Sequence, residues 1–337
     1  MRKTYGVGVF VFIVLGMFYM AYNVFVPQKF LSPIGTVRDK PLTKYTFSAL
    51  KKRQYLGSEI TIEKQVKSTD TFISYIFTFK SDGKKVSGLI NLPIIAKQVP
   101  IIILIRGFVD KQIYSPGVGT ERVGEALASN GYITLAPDYL GFGTSENPSH
   151  NSIEERFQTY TTTLNLLASL NRLNDALKPL EKSPQADIVK VGIWGHSNGG
   201  HIALSTLALS GKDIPSVLWA PVSKPFPFSI LYFTDDIPDH GKALRKAVAS
   251  FEKDYDIEEY SPTNFFFWIH APIQIHQGTQ DDAVPLSWSD NLYLELKKLG
   301  LSVDYFTYTG ADHNLMPDGW ASAVNRMLVF FQEELNQ

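Results

Sequence analysis

The chain contains no cysteine. That removes a disulfide framework, a thiolate nucleophile and any cysteine-ligated zinc or iron–sulfur site from consideration. An excess of one charge is missing too: 32 basic and 33 acidic residues in 337 give a net charge of −1 and are not sorted into blocks. A nucleic-acid partner would call for a basic stripe, and the densest basic run, Lys51-Lys52-Arg53, reads as solvated surface. Repeats and low-complexity segments are absent. The glycine pairs Gly117/Gly119 and Gly141/Gly143 each lack the third glycine of a dinucleotide-binding loop. The seven histidines are scattered without the paired spacing of a metal site. The sequence therefore calls for no metal and no organic cofactor.

Charge is missing locally as well. No charged residue lies between Lys3 and Lys29, and GVGVFVFIVLGMFYMAYNVFV (6–26) is almost wholly apolar. About 1.5 Å per residue takes such a run roughly across a ~30 Å hydrocarbon core. A cleaved signal peptide would carry a shorter apolar region and a small-x-small cleavage site, and Asn23 to Phe30 offers none. Residues 1–28 are thus predicted to be a transmembrane anchor with a short basic tail. Basic residues flank the run on both sides, but a short basic tail ahead of a long folded domain usually stays inside. The folded domain is accordingly expected on the extracytoplasmic side of a single-pass membrane protein.

Residues 29–58, with Pro33, Gly35 and Pro41, read as a linker. Alternating stretches follow at 59–66, 71–80 and 85–93, the last two joined through Asp82-Gly83. This predicts a small antiparallel β element with a tight hairpin. From residue 100 short apolar strands (100–106, 132–137, 188–194, 216–221, 272–277, 302–308) alternate with helical runs. Strands apolar on both faces belong in a mostly parallel sheet with helices on each side, so 59–337 is expected to be one α/β domain. Its rhythm breaks at 224–268, a long aromatic interval read either as a cap over a site or as an extra helix packed on the core. Phe226, Phe228, Tyr232, Phe233 and Phe265 to Trp268 in it predict an aromatic, apolar acyl pocket or, for about half of them, buried core.

Within this pattern VKVGIWGHSNGGHIALS (189–205) surrounds Ser197 with Gly195, Gly199 and Gly200, at a strand-to-helix junction. A Gly-x-Ser-x-Gly turn in that context forces the serine into a strained conformation and leaves its hydroxyl protruding. Bulkier residues two positions away would collide with the strand or helix. A serine hydroxyl needs a base. Read in the order Ser, Asp or Glu, His, Asp281 follows the strand 272–277, and after it His313 is the last histidine. His313 is thus the candidate base and Asp281 the candidate carboxylate that orients it, with Asp282 as the alternate one residue away. For the oxyanion the backbone N–H of Asn198 is one candidate donor. The other is that of Phe108, which Gly107 lets come close, or else the Tyr114 hydroxyl. His196 is expected to pack under the turn.

At these residues the chain resembles the α/β-hydrolase superfamily and, within it, the catalytic domain of the prolyl oligopeptidase family. GHSNGG (195–200) is similar to that family's nucleophile turn, and HQGTQDDAVP (276–285) to its acid loop, with Asp281 at the first aspartate. GADHNL places His313 at the base, and PDYLGFGTSE (137–146) resembles a loop common in the superfamily. The resemblance spans about residues 85–335 and implies an α/β-hydrolase fold and a serine hydrolase working through an acyl-enzyme, without a cofactor, on a small peptide or ester. Fewer than 60 residues separate the predicted anchor from the hydrolase, too few for the β-propeller of the large peptidases, and Arg106-Gly107 stands where many members carry His-Gly. The reading is a serine peptidase of this kind, with a carboxylesterase as the alternative and a non-catalytic, membrane-anchored binding protein as the reading from another class.

Overall fold

The computed structural model describes residues 39–95, 97–181, 183–235 and 238–335. The predicted span at 6–26 lies outside them. Among the described residues no helix is long and apolar enough to cross a membrane.

Nine strands form one sheet: β1 (Thr61–Ser68), β2 (Phe72–Ser81), β3 (Lys84–Pro93), β4 (Gln98–Ile105), β5 (Ile133–Pro137), β6 (Gln185–His196), β7 (Ser216–Trp219), β8 (Ile273–Gly278) and β9 (Val303–Tyr308). Their order is β1-β2-β3-β5-β4-β6-β7-β8-β9. The first three are antiparallel, and β3 joins β5 antiparallel as well. From β5 onward every neighbouring pair is parallel. The predicted antiparallel element is therefore the edge of the main sheet. Its hairpin turns where expected, with Asp82 at φ 51° and Gly83 at φ 82°, two successive left-handed residues that match strand twist.

The strand alternation explains the two layers of the core. Side chains at successive positions of β4 point to opposite faces. Ile101, Ile103 and Ile105 join the cluster that holds Phe157 and Leu164 of α2 (Ser152–Ser169), Ile202 and Leu204 of α3 (Asn198–Ser210), Phe251 of α4 (Lys242–Glu252) and Leu296 of α5 (Leu286–Lys298). Ile102 and Leu104 join the other, with Val123 and Leu127 of α1 (Glu121–Ser129) and Met327 and Phe331 of α6 (Trp320–Leu335). Both faces of the parallel strands are thus covered by helices, which is why those strands read as apolar runs rather than alternations. This is the α/β-hydrolase architecture.

Two sequence-based expectations need correction. Residues 42–58 do not behave as linker: the compact unit begins at Leu42. Phe47 and Leu50 are fully buried, and Phe47 stacks on Phe265 with ring centroids 4.9 Å apart. Proline and glycine content marked the segment as irregular but could not reveal that its apolar residues anchor it. The aromatic interval 224–268 also divides. Phe226 and Phe266 are buried in the main core, whereas Phe228, Tyr232 and Phe233 are exposed around the indole of Trp288.

The parallel arrangement puts the carboxyl ends of β4, β6, β7, β8 and β9 along one rim. The chain leaves β4 for β5 on one side and reaches β6 on the other, a topological switch point that opens a crevice at that rim.

Candidate active site

Ser197 follows the last residue of β6 and precedes α3, with φ 56° and ψ −122°. A residue with a side chain occupies that region only when its surroundings hold it there. The restraints are evident. Its N–H donates to the Trp219 carbonyl (2.9 Å), and its own carbonyl accepts from Val222 N (3.0 Å) and Gly200 N (2.9 Å). The turn is closed against the central strand so tightly that a Cβ on residue 199 would lie 1.9 Å from the Ile105 carbonyl oxygen. Glycine at that position is a steric requirement. Helix α3 starts at Asn198, so the N–H groups of its first turn have no acceptor four residues back within the helix, and that of Gly200 goes to the Ser197 carbonyl instead.

Asp281 and His313 lie in the loops after β8 and β9. His313 Nδ1 and Asp281 Oδ2 are 2.8 Å apart. The Asp281 side chain is fully buried. Its Oδ1 accepts from Ala283 N (2.9 Å) and Val284 N (2.8 Å), and its Oδ2 also accepts from Gln277 Nε2 (2.8 Å). Burial works against the charge, but the bond and charge of His313, with the Val284 and Gln277 donors, prevail and hold the carboxyl below its ordinary range. An ionised Asp281 can only accept, so Nδ1 of His313 carries the proton and Nε2 is left as an acceptor. Asp282 points into solvent; of the two aspartates, the structure pairs Asp281 with His313.

His196 lies beside this pair. Its Nε2 is 2.9 Å from the His313 carbonyl oxygen, and the two imidazole centroids are 4.5 Å apart. Burial, reinforced by the neighbouring His313, lowers its pKa to about 4, so it is neutral and braces the His313 loop. It packs at the turn as expected from the sequence, and it ties the base to the residue preceding Ser197.

The loop after β4 completes the site. A Cβ on Gly107 would lie 2.9 Å from Cβ of Ser197, so only glycine lets this backbone approach the serine. Phe108 follows, 85% exposed, and lines the cavity beside the serine. The Tyr114 hydroxyl does not face the serine: it donates to Asp138 Oδ1 (2.6 Å).

Sequence reasoning missed what fixes these groups. Gln277 donates to Asp281 and accepts from Ser289 Oγ (2.7 Å). Arg106 lies buried over the rings of Phe142 (4.2 Å) and Tyr114 (4.8 Å) and donates to the carbonyls of Gly107 (2.9 Å) and Asp138 (3.0 Å). Asp138 is fully buried and also accepts from Ser87 Oγ (2.5 Å); burial lifts its carboxyl above the usual range. The signal in the sequence was the departure itself, Arg106 in place of histidine, together with the aspartate of PDYLGFG.

A cavity of about 500 Å³ opens beside the serine. Gly107, Phe108 and Asn198 form one side, Tyr139 and Phe142 another, and Glu155, Gln158, Thr159 and Thr162 of α2 the wall. The aromatic interval 224–268 does not line it, contrary to the expected aromatic acyl pocket. The α2 side is polar because one face of that helix turns Glu155, Gln158, Thr159 and Thr162 this way, whereas Phe108, Val109, Leu140, Phe142 and Ile202 make most of the lining apolar.

A sequence model described as the prolyl oligopeptidase family matches residues 123–337. A protein of Bacillus subtilis (strain 168), Uncharacterized peptidase YtmA, is 24% identical over 249 residues, 72% of this chain and 87% of that protein. Among solved structures, acetyl xylan esterase from Paenibacillus sp. R4 superposes with a TM-score of 0.58 at 16% identity, over 85% of this chain and 92% of that one. Pyrococcus horikoshii acylaminoacyl peptidase gives 0.56 at 20% identity, over 79% and 42%. At such identities the structural likeness speaks for the fold alone, and it embraces both an esterase and a peptidase. The family model covers more than half of the chain, which therefore belongs to the prolyl oligopeptidase family.

Proposed function

We propose that this chain is a serine peptidase whose nucleophile is Ser197, with His313 as base and Asp281 as its orienting carboxylate. The observation that carries this reading is the His313–Asp281 pair at 2.8 Å beside a serine held at φ 56° on a strand-to-helix turn. Ser197 Oγ attacks the substrate carbonyl carbon and yields its proton to Nε2 of His313. Asp281 stabilises the resulting imidazolium without taking the proton. The backbone N–H groups of Asn198 and Phe108 receive the oxyanion, and Arg106 fixes the loop that presents the second of them. Collapse of the tetrahedral intermediate breaks the bond to the leaving amine, which departs with the proton from His313. Water then repeats the cycle on the acyl-enzyme, releasing the acid.

Peptide is preferred over ester because the matching family is one of peptidases. The sequence further supports a tether: the uncharged run 6–26 would hold the hydrolase at the extracytoplasmic face of a membrane. The test of the activity compares kcat/KM on matched aminoacyl anilides and esters, with Ser197→Ala as control. The peptidase reading expects anilide turnover that falls by at least three orders of magnitude in Ser197→Ala. Ester turnover alone, abolished in the same variant, would replace it with a carboxylesterase. Turnover unaffected by Ser197→Ala would overturn both.

A further inference from the structure

A second cavity, of about 300 Å³, shares no lining residue with the one beside Ser197. Three of the chain's five tryptophans line it: Trp194, Trp219 and Trp320. The sheet brings them together. Trp194 and His196 are two apart on β6 and so point to one face, and Trp219 of β7 is the register partner of His196. The indoles of Trp194 and Trp219 meet edge to face at 5.4 Å. Trp320, the first residue of α6, meets Trp219 the same way at 5.2 Å. His196 and Asn314 also line the cavity. The first precedes Ser197 and the second follows His313, so the cavity borders the candidate site along the chain.

Packing explains tryptophans laid against a sheet, but not the space between them, since protein interiors close such gaps. The volume stands at the lower end of what small-molecule sites enclose. Nor does packing call for the arginine at its edge. Arg122 of α1 is exposed, lines the cavity and lays its guanidinium 3.9 Å from the centre of the Trp320 ring. Its Nη1 donates to Met316 Sδ (3.8 Å), a weak acceptor. Among the described residues no carboxylate pairs with it. Glu121 is the one acidic residue of the lining, and it stands within electrostatic reach of Lys67, which pairs with Glu125. The cavity thus combines flat aromatic surface with a cation that has no anionic partner. A guanidinium stacked on a ring keeps its N–H edge for a planar carboxylate.

We propose that this cavity is a second ligand site, for a small aromatic carboxylate whose ring lies against the tryptophans and whose acid group meets Arg122. The occupant touches the loop that carries His313, through Asn314, and stays clear of the cavity beside Ser197. The proposal does not depend on the hydrolase reading, and its test requires no turnover.

The probes are 4-nitrobenzoate and 4-nitrobenzamide, flat rings of one size that differ in charge and quench indole fluorescence on contact. Titrated into the full chain, 4-nitrobenzoate is expected to quench the tryptophan emission saturably. Its Kd should lie about tenfold below that of the amide, the scale of one charge-assisted contact to an exposed arginine. In Arg122→Gln that ratio should fall to near one, with an unchanged Tm, because the replaced side chain is exposed. Thr159→Trp adds bulk to the cavity beside Ser197 and should leave the Kd of 4-nitrobenzoate as it is. Absence of saturable quenching, a wild-type ratio below threefold, or an unchanged ratio in Arg122→Gln would overturn the proposal. A Kd raised by Thr159→Trp would place the probe in the other cavity and overturn it as well.

Discussion

At the scale of single residues, the two adjacent aspartates test how much the site depends on geometry. Asp281 is buried and receives two backbone N–H groups, Gln277 and His313, whereas Asp282 is exposed. Asp281→Asn would keep the volume but offer an amide where His313 needs an acceptor, releasing the imidazole tautomer. Its kcat is expected to fall by roughly three to four orders of magnitude, while Asp282→Asn stays within about threefold of wild type. Steady-state kinetics on any substrate that is turned over decides it, and equal losses in the two variants would remove the orienting role from Asp281. Gly199→Ala probes the turn instead. The new methyl would lie 1.9 Å from a backbone oxygen of the central strand, so neither partner can yield cheaply. A loss of about 3 kcal/mol or more in urea-unfolding free energy is expected, and a near-neutral result would mean that the turn can open. The strained turn at Ser197 and the pairing of Asp281 with His313 were legible because loop order and turn chemistry constrain these positions along the chain. Gln277 and the Arg106–Asp138 contact were not, because those partners meet only once the sheet is assembled.

Among the elements, β8 illustrates a cost hidden in the core. Every residue from Ile273 to Gly278 is buried, including His276, whose ring nitrogens are 2.7 Å from the Tyr308 hydroxyl and 2.8 Å from Gln274 Oε1. Burial lowers its pKa to about 3, and that of His196 at the end of β6 to about 4, against an unfolded value near 6.5. Between 6.5 and those folded values the unfolded chain binds more protons, so stability falls as pH falls. By pH 5 each imidazole removes about 2 kcal/mol relative to neutral pH. The urea midpoint is expected to drop between pH 7 and pH 5, and His276→Gln to lose about one proton's worth of that slope. An identical slope in wild type and variant would show that His276 titrates normally. Sequence reading placed this strand at 272–277, although Ile273-Gln274-Ile275-His276-Gln277 alternates apolar and polar residues and its polar side chains are buried against one another and Tyr308. It left the aromatic interval 224–268 open between pocket and core, because composition reports burial without saying which surface does the burying. Phe226 and Phe266 face the core, and the cavity wall comes from α2, whose threonines gave no such signal.

For the molecule as a whole, the remaining question is where the hydrolase works. The compact unit from Leu42 to Gln337 contains both core layers and the whole candidate site, so the chemistry does not require the segment before it. That segment carries twenty-one uncharged residues at 6–26, enough to span the ~30 Å hydrocarbon core as a helix. The two observations together make a separable prediction. The full chain is expected to remain in the membrane pellet after an alkaline carbonate wash with its intact mass, and to be digested by protease added to the outer face. A chain beginning at Asp39 should be recovered in the supernatant, with kcat/KM on a soluble substrate within about twofold of the full chain. Release of the full chain with a mass shortened past residue 26 would replace the anchor with a cleaved leader. Retention together with resistance to external protease would keep the anchor and reverse the orientation, because the basic residues after the run, Lys29, Arg38, Lys40 and Lys44, would then outweigh Arg2 and Lys3.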